Sequence, residues 1–414
     1  MKTKIAVVGS GISGLSVSRI LSDKGYSVTL FEKNDGVGGL VRCTVEDGIL
    51  FHRVGGHVFN TKIPKVAEWF WSIFKEDDFL KAKRNAKIWL HNKYIGYPIE
   101  NYLYQLDKNI TQQAISELIK NNETAKNADN FSDFLLETFG ETLCNLYFKP
   151  YNYKIWKTDL SKVSLPWLDG KLPMPDFQDI IMNNIYKKQD ETMVHSTFFY
   201  PKSGGSSFIA NKIAEGLNIK LNTNISLIKR DSERWIIGDE KYDSVIYTGD
   251  VRRLNSILQI KDKQIEINTS NVINLQSNGT SNALCYVEKS DLSWLYLPEI
   301  NTQSHRIIYT GNFSELNNIK NQLLTCTVEF SGILSENEMR AELKKLPFDL
   351  RPISFNNEPN SYVIQENQTR NNIKYLKTSL ESYNFFLLGR FAEWEYYNMD
   401  KAIEAAMELI QKKF

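Results

Sequence analysis

The sequence is poor in cysteine and nearly neutral, and both features narrow the range of functions. Its four cysteines, Cys43, Cys144, Cys285 and Cys326, are widely spaced among 414 residues and form no C-x-x-C pair. This spacing excludes a disulfide framework and a cysteine-based metal site, and it predicts free thiols in a reducing compartment. The formal net charge is only +1, so no generally basic surface indicates a nucleic-acid partner.

Long apolar runs are also missing. No stretch approaches the length that a membrane-spanning helix needs, and the chain begins with a strand-like segment rather than with the pattern of a signal peptide. We therefore expect a cytoplasmic protein without an integral membrane segment. The chain is long enough for two or three lobes with a sizeable core.

The most informative motif lies in the first forty residues. An apolar run from Lys4 to Val8 predicts a buried parallel strand, and it leads into the sequence G-S-G-I-S-G at residues 9–14. A helix from Leu15 to Lys24 and a second strand from Ser27 to Phe31 are predicted next, and Glu32 closes that strand. A G-x-G-x-x-G between strand and helix, followed by such an acidic residue, is typical of a dinucleotide-binding Rossmann unit.

Each residue of this motif has a physical role. Gly9 permits a tight turn, Gly11 lets the backbone approach a pyrophosphate, and Gly14 lets the helix pack closely on the strand. The helix N-terminus then faces the anion. Glu32 is placed to accept hydrogen bonds from a ribose, and its charge disfavours a 2′-phosphate. The motif alone does not distinguish FAD from NAD, and a glycine-rich turn without a ligand is the simpler alternative.

The segment that starts at Glu32 distinguishes the two cofactors through a resemblance. Its sequence, E-K-N-D-G-V-G-G, is similar to the E-x(5)-G-G extension of the glutathione-reductase-type flavoproteins, which include amine oxidases and UDP-galactopyranose mutases. In that group the glycine pair, here Gly38 and Gly39, passes close to the cofactor phosphates. The resemblance therefore implies a tightly held FAD.

The rest of the chain predicts two further units. Residues 86–194 are largely helical in pattern, apart from an expected long loop over residues 149–175. Residues 263–379 contain several strand-like runs that predict a second sheet. We therefore predict an α/β fold in which residues 1–85, 195–262 and 380–414 form a Rossmann-type FAD-binding domain. A helical insertion and a second antiparallel β-sheet complete it.

Three further stretches carry a closer resemblance, to the bacterial UDP-galactopyranose mutases. Residues 56–61, G-H-V-F-N-T, are similar to their G-x-H-I-F-H-T, and residues 149–156, K-P-Y-N-Y-K-I-W, to their K-G-Y-T-x-K-Q-W. Residues 389–399, G-R-F-A-E-W-E-Y-Y-N-M, are similar to their G-R-x-A-E-Y-x-Y-Y-D-M. Tyr247-Thr248-Gly249 resembles the strand end at which the chain of such flavoproteins returns to the FAD domain. Because the matches keep their order along the chain, it resembles a divergent member of that family.

This resemblance implies an isomerase. The family interconverts the pyranose and furanose forms of a nucleotide-activated sugar for cell-surface glycans, without net redox change, and here the sugar could be activated in another way. The flavin must be reduced, by NAD(P)H or another reductant, and its N5 atom is the nucleophile at the anomeric carbon. A homodimer is expected by the same analogy.

The motif and the resemblance together imply two groups of site residues. Those expected beside the sugar and the reacting part of the flavin are His57, Tyr151, Trp156, Tyr362 and Arg390. Those expected to bind FAD are Gly9, Gly11, Ser13, Gly14, Glu32, Lys33, Gly38, Gly39, Gly56, His57, Thr248, Gly249, Gly389, Arg390, Tyr397, Asn398 and Met399.

Two departures from the family pattern concern the diphosphate. The final arginine of the family's R-x-P-V-R falls on Pro175, and the stretch that matches its P-Y-T-R, residues 293–296, contains no arginine. A guanidinium fork grips phosphate in a way that few other groups match. Lys154, Lys171 and Lys202 are candidate substitutes, although a solvated surface lysine is the simpler interpretation of each.

The departures leave a second interpretation open, a true redox enzyme on the same scaffold. Residues 200–205, Y-P-K-S-G-G, resemble the Y-P-x-G-G stretch of amine-oxidase-like and protoporphyrinogen-oxidase-like flavoproteins. A third interpretation is a non-catalytic FAD-binding scaffold, but a chain freed of catalysis has no evident reason to keep these cofactor motifs. We favour the mutase, with the oxidoreductase second.

Overall fold

The computed structural model describes residues 2–124, 126–165, 168, 176–187, 196–319 and 323–414. The β-strands in this part of the chain are β1 (Lys4–Val8), β2 (Ser27–Phe31), β3 (Cys43–Glu46), β4 (Ile49–His52), β5 (Phe79–Lys83), β6 (Ala86–Leu90), β7 (Lys93–Gly96), β8 (Thr197–Pro201), β9 (Ile219–Lys220), β10 (Ile228–Asp231), β11 (Arg234–Ile237), β12 (Glu240–Tyr242), β13 (Ser244–Tyr247), β14 (Leu258–Gln259), β15 (Ser277–Val287), β16 (Trp294–Tyr296), β17 (Ser304–Ile308), β18 (Leu324–Ser331), β19 (Arg351–Val363) and β20 (Phe385–Leu387).

The α-helices in the same ranges are α1 (Ile12–Asp23), α2 (Pro64–Ile73), α3 (Lys108–Asn122), α4 (Phe131–Leu143), α5 (Lys149–Trp156), α6 (Phe177–Tyr186), α7 (Gly205–Ala214), α8 (Leu254–Ile257), α9 (Lys263–Ser270), α10 (Glu336–Leu343), α11 (Thr369–Glu381) and α12 (Met399–Lys413). Within these ranges, each helix is too short or too polar to cross a membrane.

A five-stranded parallel sheet organises the first unit, in the order β20-β13-β1-β2-β9. Successive side chains of β1 point to opposite faces of the sheet, and both faces are buried. Ile5 and Val7 join the apolar cluster that includes residues of α1, α7 and α12, whereas Ala6 joins the cluster on the opposite face with residues of α11. The predicted Rossmann-type unit is confirmed, and β13 and β20 belong to it although they come from distant parts of the chain.

A seven-stranded sheet forms the second unit, in the order β19-β15-β18-β17-β16-β6-β7. Its pairs are antiparallel apart from the parallel pair of β16 with β6. The predicted second sheet is present, but it also includes the β6–β7 hairpin, which the sequence analysis grouped with the helical region. His91 and Asn92 have φ values of 50° and 60° at this two-residue turn, as a tight hairpin requires.

Helices α3 to α6 form the third unit and pack against the end of the seven-stranded sheet around one apolar cluster. The expectation of a loop from residue 149 is wrong for its first part, because residues 149–156 form α5. Lys154 and Trp156 are the buried residues of that helix, so its apolar side was hidden in the sequence by a lysine. Residues 166–167 and 169–175 of the predicted loop lie outside the described residues. Lys171 and Pro175 are among them.

Candidate functional site

A continuous cavity of about 530 Å³ lies where the carboxyl edge of the parallel sheet meets the seven-stranded sheet. The edge after parallel strands is where ligands of such sheets bind. We call its two parts the glycine-rich end and the charged end. The glycine-rich end is lined by residues 9–13, 32–34, 38–42, 248–249 and 398–400, and the charged end by Arg84, Trp294, Arg306, Glu329, Tyr362 and Tyr396.

The turn after β1 shows why glycine is needed there. Gly9 has a φ of 101°, and a Cβ on it would lie 2.5 Å from Thr248 Oγ1. A Cβ on Gly14 would lie 1.9 Å from the carbonyl oxygen of Gly9, so α1 can approach the strand only with glycine at this position. A Cβ on Gly11, by contrast, would have no atom within 4 Å and would project into open space. Gly11 therefore leaves room that the fold itself does not need.

The second glycine pair lies directly beside this turn. Gly38 and Gly39 have φ values of 116° and 56°, and a Cβ on Gly39 would lie 3.2 Å from the Cα of Gly11. The amide of Gly38 donates to the carbonyl of Ser10 at 2.9 Å. The first turn of α1 contains no acidic residue, and its first residues line the cavity. This cradle of backbone and helix N-terminus fits the pyrophosphate of a dinucleotide.

Glu32 is already fully hydrogen-bonded within the protein. Its Oε2 accepts from the amide and hydroxyl of Ser10 at 2.9 and 2.7 Å, and its Oε1 accepts from the amide and side chain of Asn34 at 2.9 and 2.8 Å. A ribose hydroxyl at this carboxylate would therefore take the place of the Ser10 hydroxyl or of the Asn34 side-chain amide.

Residues of the C-terminal stretch also line the cavity. Gly389 has a φ of 93°, and a Cβ on it would lie 2.5 Å from Ser13 Oγ. Arg390 donates from Nη1 to the carbonyl of Ser361 at 3.0 Å and from Nη2 to the carbonyl of Tyr397 at 2.5 Å. Its guanidinium also lies over the ring of Tyr396, 4.6 Å from the centroid.

Most residues expected to bind the cofactor line this one cavity, and two support its wall instead. Gly14 and Gly389 make the close approaches described above. The predicted cofactor residues that line the cavity are Gly9, Gly11, Ser13, Glu32, Lys33, Gly38, Gly39, Gly56, His57, Thr248, Gly249, Arg390, Tyr397, Asn398 and Met399.

His57 lies between the two ends. Burial, with the positive charge of Arg390 second, lowers the pKa of His57 to about 3, so its ring is neutral at physiological pH. Its Nε2 is buried and has no hydrogen-bond partner among the described residues. A Cβ on Gly55 would lie 4.0 Å from this nitrogen, 3.2 Å from Glu329 Oε2 and 3.3 Å from Arg306 Nη2, so these groups surround one point.

The charged end is built on a buried ion pair. Arg306 and Glu329 face each other on β17 and β18, and Arg306 Nη2 donates to both carboxylate oxygens at 3.0 and 2.9 Å. His305 Nε2 lies 3.0 Å from Glu329 Oε1, and the Tyr362 hydroxyl donates to the same oxygen at 2.9 Å. Burial raises the pKa of Glu329, but Arg306 and His305 outweigh it and hold this pKa well below its usual range.

Aromatic rings line and support the charged end. The ring of Tyr362 is stacked on that of Tyr396 at 5.7 Å, and Trp156 meets Tyr362 edge-on at 6.0 Å. Tyr151 meets the ring of Tyr296 edge-on at 5.4 Å. The structure therefore brings the predicted Tyr151 and Trp156 to the charged end. They lie behind its lining, whereas His57, Tyr362 and Arg390 line the cavity directly.

Sequence reasoning missed the charges of this end. It sought an arginine in residues 293–296, whereas Arg306 lies on the next strand, directly opposite Tyr296. It also missed Glu329 and Arg84, whose guanidinium lies 4.7 Å from the ring centroid of Trp294. A usable signal existed at Glu329, because this residue stands between Val328 and Phe330 in a strand, and a buried charge needs a partner.

Two of the three candidate lysines, Lys154 and Lys202, lie outside the lining of the cavity. Lys154 is buried and donates to two backbone carbonyls outside the cavity lining. Lys202 is exposed and does not line the cavity either. Lys171, the third candidate, lies outside the described residues, as does Pro175.

Comparisons with known proteins agree with this architecture. A family model described as an NAD(P)-binding Rossmann-like domain matches residues 7–76. The chain is 22% identical to a UDP-galactopyranose mutase of Mycoplasma genitalium, over 99% of this chain and 94% of that protein. A crystal structure of reduced UDP-galactopyranose mutase matches with a TM-score of 0.88 at 21% identity, over 99% of this chain and 96% of the other.

A putrescine oxidase structure also matches, with a TM-score of 0.66 at 12% identity, over 100% of this chain and 99% of the other. The predicted resemblance to the mutases and the predicted fold are confirmed. Because a mutase and an oxidase share this fold, the fold by itself does not separate the two activities.

Proposed function

We propose that this protein, which is similar to UDP-galactopyranose mutases over its whole length, is a flavin-dependent pyranose–furanose mutase that acts on a nucleotide-activated sugar. The observation that carries the proposal is the single cavity, in which a pyrophosphate cradle continues into a buried arginine, a carboxylate and stacked aromatic rings. Such a combination suits a cofactor and an anionic sugar held against each other. Glycan biosynthesis is the role that we expect for the product.

The cofactor in this proposal is FAD. The Gly9–Gly14 turn, the Gly38–Gly39 pair and the start of α12 would hold its phosphates, and Glu32 its ribose. The open space at Gly11 supports this assignment, because a side chain there would fill the cradle. When bound and reduced, FAD supplies the nucleophile for the anomeric carbon, and NAD(P)H or another reductant would provide the electrons.

The protein's own groups then have distinct tasks. Arg306 binds the phosphate that leaves and returns, because it is the guanidinium that Glu329 and Tyr362 fix in the cavity wall. His57, neutral and with a free Nε2, donates to or accepts from the sugar or the flavin without adding charge. Tyr362, supported by Trp156 and Tyr396, packs on the sugar, and Arg390 fixes the wall between cofactor and sugar.

The test is an isomerisation assay with defined redox state. UDP-galactopyranose, dTDP-fucopyranose and related nucleotide sugars would be incubated with the dithionite-reduced and the oxidised protein, and the products separated by chromatography. We expect a furanose product only with the reduced protein, and no net oxidation of the sugar. Absence of isomerisation with every sugar would contradict the proposal.

The alternative proposal is an FAD-dependent oxidoreductase of the amine-oxidase kind. The fold shared with putrescine oxidase over the full chain is compatible with it, and the resemblance of residues 200–205 to amine-oxidase-like flavoproteins favours it. In the structure, Tyr200 of this oxidase-like stretch makes hydrogen bonds within the protein. Its hydroxyl lies 2.7 Å from His52 Nε2 and accepts from the side-chain amide of Asn317 at 2.9 Å. Consumption of oxygen in the presence of an amine, without isomerisation of any sugar, would favour this alternative.

A further inference from the structure

Lys154 is a buried amine for which the proposed function has no task. It lies on α5 with 7% of its surface exposed, and its Nζ donates to the carbonyls of Leu297 and Ser304 at 2.7 and 3.0 Å. These carbonyls stand at the two ends of the connection between β16 and β17. Burial lowers the pKa of Lys154 to about 7, with Glu299 and Glu342 acting against this shift.

The two elements that this amine joins both reach the charged end. Helix α5 carries Tyr151 and Trp156, which support the aromatic wall. The connection leads into β17, which carries His305 and Arg306, and the rings of Tyr151 and His305 are 6.4 Å apart. One side chain therefore ties the aromatic support of the charged end to the strand that holds its arginine.

The two hydrogen bonds of Lys154 require one specific arrangement of α5 and β17. A buried amine is costly unless its hydrogen bonds are made, and a buried carbonyl without a donor is costly as well. Lys154 meets both needs at once, and it does so at one relative position of α5 and β17. An apolar side chain of similar length would fill the space but leave this position unfixed.

We infer that Lys154 is a positioning residue for substrate binding, because it fixes α5 against β17 and so sets the spacing between the aromatic wall and Arg306. The inference rests on the proposed function, in which a nucleotide sugar binds at the charged end. It assigns Lys154 no contact with substrate, whereas the sequence offered this lysine as a candidate phosphate ligand beside the simpler interpretation of a solvated surface lysine.

The test uses the FAD-loaded, dithionite-reduced protein with UDP as the probe. Lys154→Met removes both hydrogen bonds, and Lys154→Gln keeps a shorter donor. The matched control is Lys162→Met, at an exposed lysine shortly after the end of α5. We expect the dissociation constant of UDP to rise about tenfold in the Met variant and less in the Gln variant. For turnover of UDP-galactopyranose, KM should rise in parallel, with kcat within about threefold of the original value.

A readout without substrate separates this inference from the proposed function. Hydrogen–deuterium exchange of residues 149–156 and 304–308 should become faster in the Met variant, with FAD content unchanged. If exchange changes but the original protein isomerises no sugar, the proposed function fails while the tie between α5 and β17 stands. Unchanged UDP affinity and exchange in the Met and Gln variants would overturn the inference, and so would loss of FAD from both.

Discussion

The two ends of the cavity are built in opposite ways. The glycine-rich end consists mainly of backbone, and its geometry depends on the absence of side chains at Gly9, Gly14 and Gly39. The charged end consists of side chains. Three of them, Arg306, Glu329 and Tyr362, come from β17, β18 and β19, and the carboxylate of the ion pair is 1% exposed. We therefore expect the ligand preference of the glycine-rich end to change only with the course of the backbone, and that of the charged end to change with single substitutions.

This difference suits a shared cofactor and a divergent substrate. A backbone cradle recognises a pyrophosphate that does not vary, and it needs few specific side chains. A side-chain network can change one residue at a time, and in the proposed function Arg306 binds the phosphate from the middle of such a network. We therefore expect a substitution that only fills the open space of the glycine-rich end, as at Gly11, to affect FAD alone, and substitutions at the charged end to affect stability and substrate but not FAD.

The largest effect is expected at Gly11. Gly11→Val would place a side chain in the open space of the cradle, where its Cβ has no atom of the fold within 4 Å, so FAD binding should be abolished while the protein stays folded. Absorbance of the bound flavin and circular dichroism measure the two properties. Gly14→Val is the contrasting variant, because its side chain would collide with the Gly9 carbonyl, and it should not fold. A fully yellow Gly11→Val protein would refute the cradle.

Breaking the ion pair comes next. Arg306→Met leaves the Glu329 carboxylate buried without its arginine, which should lower the free energy of unfolding by about 3 kcal/mol. Adding Glu329→Gln removes the uncompensated charge, so the double variant should regain more than half of this loss. Urea unfolding of the four proteins completes the cycle. Additive effects of the two substitutions would show that the pair is not coupled.

The pH dependence of stability tests Lys154 with a smaller effect. Its pKa is about 7 in the folded protein and about 10.4 in an unfolded chain, so between these values the unfolded state binds more protons. Stability should therefore be highest above the unfolded pKa and be lost as pH falls towards 7, on the order of 1 kcal/mol per pH unit. Unfolding should be measured at about pH 7.5 and about pH 9, and the increase of stability with pH should be steeper in the original protein than in Lys154→Met.

The smallest effect is expected for Tyr362→Phe. The change removes the hydroxyl that donates to Glu329 but keeps the ring on Tyr396, so the cost in unfolding free energy should be about 1 kcal/mol. UDP affinity should fall several-fold, and the flavin content should be unchanged. Equal losses of FAD and of UDP would contradict the separation of the two ends.

The same contrast explains what the sequence could predict. Most of the glycine-rich end was predictable because residues close in sequence form it: a strand, a glycine turn, a helix and Glu32 follow one another within the first forty residues. Gly38, which the resemblance implied near the cofactor phosphates, lies beside this turn, and its amide donates to the carbonyl of Ser10. Such local patterns are set by short-range sterics, which the residue types reveal directly.

The charged end was not predictable in this way because long-range strand pairing assembles it. Arg306 meets Glu329 only through the register of β17 with β18. Tyr362 reaches the same carboxylate from β19, the edge strand on the far side of β15. Lys154 looked like a surface lysine, and only the packing of α5 on the β16–β17 connection buries it. No short pattern records these pairings, although the charge of Glu329 within a strand was a usable sign.

The central claim is that one cavity holds a reduced flavin against an activated sugar. The most direct measurement is to reduce the protein with dithionite without air, add nucleotide sugars, treat with cyanoborohydride and determine the mass of the released flavin. The account predicts a flavin whose mass is increased by one sugar, with Arg306→Met yielding little of this product. An unmodified flavin with every sugar, together with bleaching of the oxidised protein by an amine, would contradict it.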